Sequence, residues 1–498
     1  MNKKIGYGID FGTTNSIISK YDTDFNQWTN FTQDNGRPHP SVVWYRPNNS
    51  VVVGEEAKKQ IKDYSIELGI DFISSVKRKL GFDYSYHIFG KDVNAINVAS
   101  EIFSHLKKHT DIKEDEKFEA IVTIPVDFDG KARRDLRKAA AKAGIYIKSF
   151  IQEPYAAIVA HCWKKEGNDF TAKLLDKNYL IMDWGGGTLD ITIAKVTENG
   201  FEVLAFKGNN EVGGDIFDKK LMKSVSNSFI DKNKLSAEHR SNFNSTSNGN
   251  LKYECEQCKI RLSEKYSEYV DLPNFYRIED RFLPLSVEVS RKGFENLIEE
   301  YVDAGINLMY EALEDSSLKN NEIDSVLLIG GTCNIPLIKN KMLNIFGSRV
   351  EQVDEPDLII AQGAALIDGI GLKSVLQNNI ALKMADNSYF TIYKSQLPLN
   401  ELNTNQKLAV FCTDPRDGFA KIIVTDMKIP QKKTLGVLSV PVTSDYNLRY
   451  GCEKIDLSMN FDEDMILHLS GKSETKQKKE SIEIYDIPFG LSLNNKGI

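Results

Sequence analysis

A chain of 498 residues exceeds what one hydrophobic core fills, so about two to four domains or lobes are expected. With 41% hydrophobic and 27% charged residues it reads as globular, and a net charge of −7 argues against nucleic acid or an anionic membrane as a general partner. No apolar run approaches the roughly 20 residues that span a bilayer, and the stretch behind Lys3 and Lys4 is too short for a signal peptide. Six scattered cysteines form no disulfide framework, so a reducing, cytoplasmic setting is expected.

The segment Ile5–Asp22, IGYGIDFGTTNSIISKYD, alternates up to Asp10, turns at Gly12, Thr13, Thr14 and Asn15, and resumes as a β-rich run. That predicts two strands joined by a tight Gly-Thr turn. Such a turn aligns backbone N–H groups and small hydroxyls into a concavity suited to phosphate. The carboxylate of Asp10 would repel a phosphate directly, but it makes sense with Mg²⁺ and its waters in between. Strands follow at Phe25–Thr32 and Ser41–Val53, then a helix at Glu55–Leu68. FISSVKRKL, Phe72–Leu80, reads as an apolar helix whose Lys77 and Arg78, taken alone, form a solvated face. Val93–Thr110 reads as an amphipathic helix. Across Glu119–Ala160, the strand AIVTIPVDF, the basic helix KARRDLRKAAAKAG closed by Gly144, and the strand YIKSFIQEP make a βαβ unit. By its own chemistry Glu153 is a capping carboxylate near a helix start.

Tyr179–Val196 repeats the opening chemistry: a strand, Asp183, the turn Gly185-Gly186-Gly187, Thr188 and a second strand. Two such hairpins point to two half-sites clamping one polyphosphate. Gly213-Gly214 precede a further helix, and helical segments continue to Tyr266, interrupted by the polar loop Ser241–Asn250. Glu256, Lys259 and Ser263 share one helix face. Cys255 and Cys258 have C-x-x-C spacing, but no second pair completes a zinc site, so helical spacing explains them. Ser325–Ile335 is a buried strand running into the turn Gly330-Gly331. Past Gly371 the composition changes, and from Ile380 short alternating runs separated by turn residues are the signature of a β-sandwich.

DFGTTNS and DWGGGTLD resemble the two phosphate hairpins of the actin-like ATPase superfamily, and their wording is most similar to the seventy-kilodalton heat-shock (DnaK-type) chaperones. The resemblance extends over essentially the whole chain. It implies an α/β fold: a two-lobed actin-like (ribonuclease-H-like) ATPase domain over 1–372, a linker at 373–379, and an all-β sandwich over 380–498 without the usual helical lid. It implies that Lys77 faces the transferring phosphate, that Glu153 reports nucleotide state to a switch at Pro125, and that Arg133 touches the second domain. Gly213, Gly214 and Asp215 would approach the ribose and phosphates, with Glu256, Lys259 and Ser263 on the ribose and adenine side. SVLLIGGTCNI resembles the adenosine-contacting GGSTRIP motif, assigning Gly330, Gly331 and Asn334, and Asp357 falls in a PDEAVAYGAA-like stretch. MNFDEDMILHLSGKS resembles FDIDANGILHVSAKD and places Met459 and Leu469 on a peptide groove, with His468 on the opposite face.

Two positions depart from the family. It sandwiches adenine between two arginines, and here those positions are Ile260 and Asn334. At about 0.5–2 kcal/mol per cation–π contact, ATP binding is expected to be weaker by about 5- to 1000-fold.

The implied function is hydrolysis of Mg-ATP to ADP coupled to binding of extended or unfolded polypeptide, with a J-domain co-chaperone and a nucleotide-exchange factor as further partners. In that mechanism Thr13, Thr14 and Thr188 hold the phosphates, Asp10 and Asp183 hold the Mg²⁺ shell through water, and Lys77, Glu153, Asp183, Thr188 and Asp10 are the catalytic set. Two other readings compete. A small-molecule kinase of the same superfamily, with Asp127 as base, leaves the β-sandwich unexplained. A non-hydrolysing scaffold or nucleotide-exchange partner is favoured by the missing arginines and disfavoured by the intact acidic and Lys77 positions.

Overall fold

Both Asp-Gly-Thr hairpins form where the alternation places them. Ile5–Phe11 pairs antiparallel with Asn15–Asp22, and Asn178–Trp184 pairs antiparallel with Leu189–Thr197. The computed structural model describes residues 5–63, 71–113, 116–198, 200–235, 248–278, 281–428, 432–443 and 453–493. On its other edge each leading strand takes one parallel partner, Phe118–Ile124 in one lobe and Ser325–Ile329 in the other, and that partner in turn pairs in parallel with Ile145–Gln152 or Val350–Glu351. Gln27–Phe31 and Gly200–Asn209 extend the hairpins. The two sheets therefore share one strand order, and the repeated motif in the sequence is a repeated half-domain.

The halves are locked together by helices Glu153–Glu166 and Ile359–Ile370, which pack on one another, the second also lying on the strand Ile5–Phe11. A Cβ at Gly8 would collide with the Ala361 carbonyl and the Ala365 amide, so only glycine lets the strand lie this close to the helix. The βαβ reading of Glu119–Ala160 matches the structure, with helix Gly130–Lys142 between its two strands.

Some local readings differ. Phe72–Leu80 is a short strand, Phe72–Ser74, then a single 3₁₀ turn, Val76–Lys79, because Ser75 adopts the left-handed region at φ 59° and breaks any helix. The hairpins Ser85–Ile88/Lys91–Asn94 and Ser267–Ile278/Arg281–Ser290 gave no clear signal in the sequence, since charged and turn residues interrupt their alternation. Cys255 and Cys258 are buried, unpaired core residues of helix Asn248–Leu262. The end of the helix expected at Glu55–Leu68 and most of the loop at Ser241–Asn250 lie outside the described residues. Among the described residues no helix is long and apolar enough to cross a membrane.

The C-terminal third is a sandwich of two antiparallel four-stranded sheets over a core that includes Leu382, Val424, Leu438, Leu457 and Leu467. Lys373–Leu376, where a linker was expected, is a strand paired with Phe489–Ser492, and both strands lie against the first lobe. Met459 and Leu469 require a correction. They oppose one another across adjacent strands, each is 1% exposed, and both point into the core between the sheets. Two apolar side chains on the inner face of a sandwich fill that core rather than line an open groove. His468 does face outward, bonded to Asp462 at 2.8 Å.

The sandwich is docked on the two lobes through one face of helix Gly130–Lys142. Buried Arg133 donates to the carbonyls of Asp464 (2.8 Å) and Tyr485 (3.1 Å), and Arg137 pairs with the Asp464 carboxylate at 2.7 Å. Arg134 meets Glu483 through contacts of 3.1 and 3.2 Å. Met465 and Phe489 complete the first lobe's apolar core, so the contact has an apolar centre beneath its charges.

Candidate active site

Between the lobes lies a cleft of about 1020 Å³ with both turns on its walls. The turns approach closely: a Cβ at Gly186 would lie 2.9 Å from the Thr14 hydroxyl, and one at Gly187 would lie 3.2 Å from the Thr13 methyl. Gly12, Thr13, Thr14, Asn15, Gly185, Gly186, Gly187 and Thr188 all line it. Gly213 and Gly214 do not. They pack behind the second turn, where a side chain at Gly213 would strike the Gly186 carbonyl and the Gly214 and Asp215 amides donate to Gly185 (3.1 Å) and Gly186 (2.7 Å). Asp215 itself reaches the cleft.

At the floor, Lys77 and Glu153 form an ion pair of 2.7 Å, the lysine 6% and the glutamate 8% exposed. The 3₁₀ turn directs Lys77 inward, and Glu153 opens helix Glu153–Glu166 at the end of a parallel strand, where the helix N-terminus favours a carboxylate. Asp10, Asp183 and Asp190 share this floor, and Thr123 donates to Asp10 at 3.2 Å. Burial, then repulsion from Glu153, pushes the Asp10 carboxyl up to about 7. The same two causes raise Asp190 to about 7 and Asp183 well above the ordinary carboxylate range. Burial works against the Lys77 ammonium, yet Glu153 and Asp10 hold its pKa above the usual lysine value. Four carboxylates act on one ammonium here. Such a floor is under-neutralised and has the hard oxygen donors that suit a small divalent cation.

The far end is lined by Glu256, Lys259, Ile260, Ser263, Gly330, Gly331, Asn334 and Asp357. Glu256 is bridged to Lys58 of the first lobe at 2.7 Å, and Lys259 pairs with Asp218 at 2.8 Å. Ile260 and Asn334 do stand on the cleft wall, so the substituted pair faces the same space. Pro125 lines the cleft too, and Arg133 lies outside it. Met459 and Leu469 are remote from it, in the sandwich core.

Three contributors escaped the sequence reading. Arg78, read as a solvated face, donates to the Gly187 carbonyl and so bridges the two lobes at the second turn. Asp190 sits directly across the hairpin from Asp183. Like charges directly opposite are unfavourable, so counting the register of DWGGGTLD would have exposed the pair as a cation signal. Arg37 lines the cleft and opposes the upward push of burial on Asp357; it carried no local signal.

The family model described as "Hsp70 protein" matches residues 6–94 and 83–387. Among curated relatives the chain is 30% identical to the chaperone protein DnaK of Mycoplasmopsis agalactiae, covering 97% of this chain and 79% of that protein. It is 28% identical to the DnaK of Metamycoplasma hominis and 27% identical to that of Thermosipho melanesiensis, each match covering 97% of this chain and 80% of the relative. With the paired half-domains, the two facing turns and the acidic floor, these matches make the chain a member of the Hsp70 family.

Proposed function

We propose that this protein is an ATP-dependent chaperone that hydrolyses ATP in the interlobe cleft and thereby controls how its β-sandwich holds extended or unfolded polypeptide. The observation that carries this reading is the buried Lys77–Glu153 pair among Asp10, Asp183 and Asp190, at the foot of two opposed Gly-Thr turns.

The turn amides with the hydroxyls of Thr13, Thr14 and Thr188 hold the phosphates of ATP. Lys77 offsets the charge that builds on the transferring group, so catalysis is positioning and electrostatics. Asp183 and Asp190 orient the attacking water; burial raises both carboxyls, and Asp190, raised to about 7, is suited to accept a proton near neutrality. The oxygen atom of that water bonds to the γ-phosphorus as the bridging oxygen leaves with ADP. Asp10 and Asp183 would hold a hydrated Mg²⁺, which would supply neutralisation of phosphate charge. Ile260 and Asn334 give the base an uncharged surround, supporting weaker and less selective adenine binding.

Coupling runs through Arg133. Its Nη1 donates to the Phe128 carbonyl at 2.6 Å, on the loop that continues from Pro125 at the cleft, while its other nitrogens hold the sandwich. A shift of that loop on nucleotide binding changes the docking of the sandwich. We take 1–372 as the ATPase domain, 373–379 as the connection and 380–498 as the polypeptide-binding domain, working in the cytoplasm with a J-domain co-chaperone and an exchange factor. The test is phosphate release from ATP without added acceptor, with and without an unfolded peptide. Release above that of Lys77→Ala and stimulated by peptide is expected. Release no faster than the variant overturns the reading, and transfer only to a small-molecule acceptor would make Asp127, on the same cleft wall, the base of a kinase.

A further inference from the structure

We propose that His39, His105 and His109 form a binding site for a zinc-type divalent transition-metal ion, separate from the nucleotide cleft. One ring nitrogen from each lies within 4.8 Å of the other two. The three come from two elements. His39 sits in the short strand His39–Pro40, while His105 and His109 are four residues apart at the C-terminal end of helix Ala95–Lys108, on one face. Pro38 and Pro40 line the cleft but His39 does not, because alternation turns it the other way.

The rings are already oriented by backbone. His39 Nε2 donates to the Phe31 carbonyl at 3.1 Å, which leaves Nδ1 with its lone pair, 3.0 Å from His105 Nε2. His109 Nδ1 donates to the His105 carbonyl at 2.8 Å, which leaves its Nε2 free to ligate. A carbonyl holding one ring nitrogen while the other ligates is the outer-shell arrangement of histidine metal sites. Two nitrogens at about 2.0–2.1 Å from one tetrahedral ion stand about 3.3 Å apart, close to the observed 3.0 Å. On binding, His105 moves its proton from Nε2 to Nδ1, so no net proton is released. Exposed His109 supplies the adjustment by ring rotation.

Two further observations agree. Gly54 keeps the space beside His105 open, since a Cβ there would lie 2.7 Å from His105 Nε2. The three rings also pack on one another, with centroids 4.9 Å (His39–His105), 4.6 Å (His39–His109) and 4.4 Å (His105–His109) apart. Three imidazoles and no thiolate or carboxylate suit Zn²⁺, Ni²⁺, Co²⁺ or Cu²⁺ rather than Mg²⁺ or Ca²⁺. The fourth position faces solvent beside exposed His109 and takes a water. The ion would tie the helix end to the strand before Ser41, whose hydroxyl donates to the Gly12 carbonyl at 2.9 Å and whose amide donates to Thr14 at 2.8 Å. The clip would stiffen the chain that supports the first phosphate turn.

The experiment titrates the full chain with Zn²⁺ against a chromophoric chelator, in excess Mg²⁺ so that the acidic floor does not compete. One equivalent is expected to bind at micromolar Kd or tighter, with Co²⁺ giving the visible bands of a four-coordinate nitrogen site. His109→Ala, at an exposed position that leaves the metal-free melting temperature unchanged, should weaken binding by at least about tenfold. It should also remove the zinc-induced rise in melting temperature. His87→Ala, at an exposed histidine outside the cluster, should change neither. No binding at micromolar Zn²⁺ overturns the proposal, and so does one-equivalent binding that His109→Ala leaves untouched.

Discussion

Replacing Lys77 with alanine tests both the energetics and the chemistry of the cleft floor. The pair is 2.7 Å long and almost fully buried, so its Coulomb attraction at an effective dielectric near 20 is about 6 kcal/mol. Desolvation cancels part of that. Stripping the cation from Glu153 should therefore cost about 3–5 kcal/mol of stability, the scale for an orphaned buried charge. In catalysis the same ammonium is one preorganised donor toward the transferring phosphoryl group. Its loss should slow turnover by about 10²- to 10³-fold, or about 2.7–4 kcal/mol. The two effects separate in the double variant Lys77→Ala/Glu153→Gln, which removes the orphaned charge. The double variant should recover most of the stability and none of the rate. Single-turnover release of γ-phosphate, calorimetry of ATP binding and thermal melts measure all three quantities. ATP should still bind, because the turns hold the phosphates. Turnover within a few-fold of wild type would return Lys77 to a packing role. Loss of ATP binding with a normal rate at saturation would make it a binding group and refute the argument.

The remaining tests address the floor, the adenine end, the docking surface and the sandwich. Burial and the neighbouring Glu153 push the Asp10 carboxyl up to about 7 in the fold, well above the ordinary carboxylate range, so the unfolded chain releases its proton first and the stability contributed by the neutral form is lost as pH rises toward about 7. In nucleotide- and metal-free protein, Asp10→Asn should gain on wild type by up to about 2 kcal/mol between about pH 5.5 and about pH 8, less because Asp10 faces the open cleft. Melts showing a constant gap, or one running the other way, would contradict the raised pKa. Ile260→Arg with Asn334→Arg should tighten ATP by about 5- to 1000-fold and sharpen selection against GTP in calorimetry, since both positions stand on the cleft wall. Arg137→Ala removes its 2.7 Å bond to Asp464 and should weaken docking by about 1–3 kcal/mol, read as faster proteolysis between the lobes and the sandwich and as weaker peptide stimulation of turnover. Leu469→Ala should lower the melting of the sandwich by about 2–5 kcal/mol, as for a core leucine; an unchanged melt with lost peptide binding would restore it to a groove.

The strands of both Asp-Gly-Thr hairpins, the βαβ unit and the β-sandwich were legible because each is written in local periodicity. Asp10–Asn15 and Asp183–Thr188 specify their own turns, and alternation assigns the faces of the sandwich strands from Gln406 to Ile484. Family resemblance then named Lys77 against its local reading as a solvated charge. What the sequence could not hold are relations between distant segments. Arg78 meets Gly187 only because two separately folded half-domains close on each other, and Arg133 meets Asp464 across 331 positions of chain. Met459 and Leu469 look identical on an alternating strand whether their face meets a groove or a second sheet, and only packing decided for the core. Ser75 breaks a helix that propensity would have allowed, and the turn that follows places Lys77 against Glu153. His39 and His105 carry no shared pattern at all across 66 residues; a sheet edge and a helix end bring them within 3.0 Å. Period and propensity act over a few residues, whereas ion pairs, buried faces and histidine clusters depend on which surfaces the folded chain presses together.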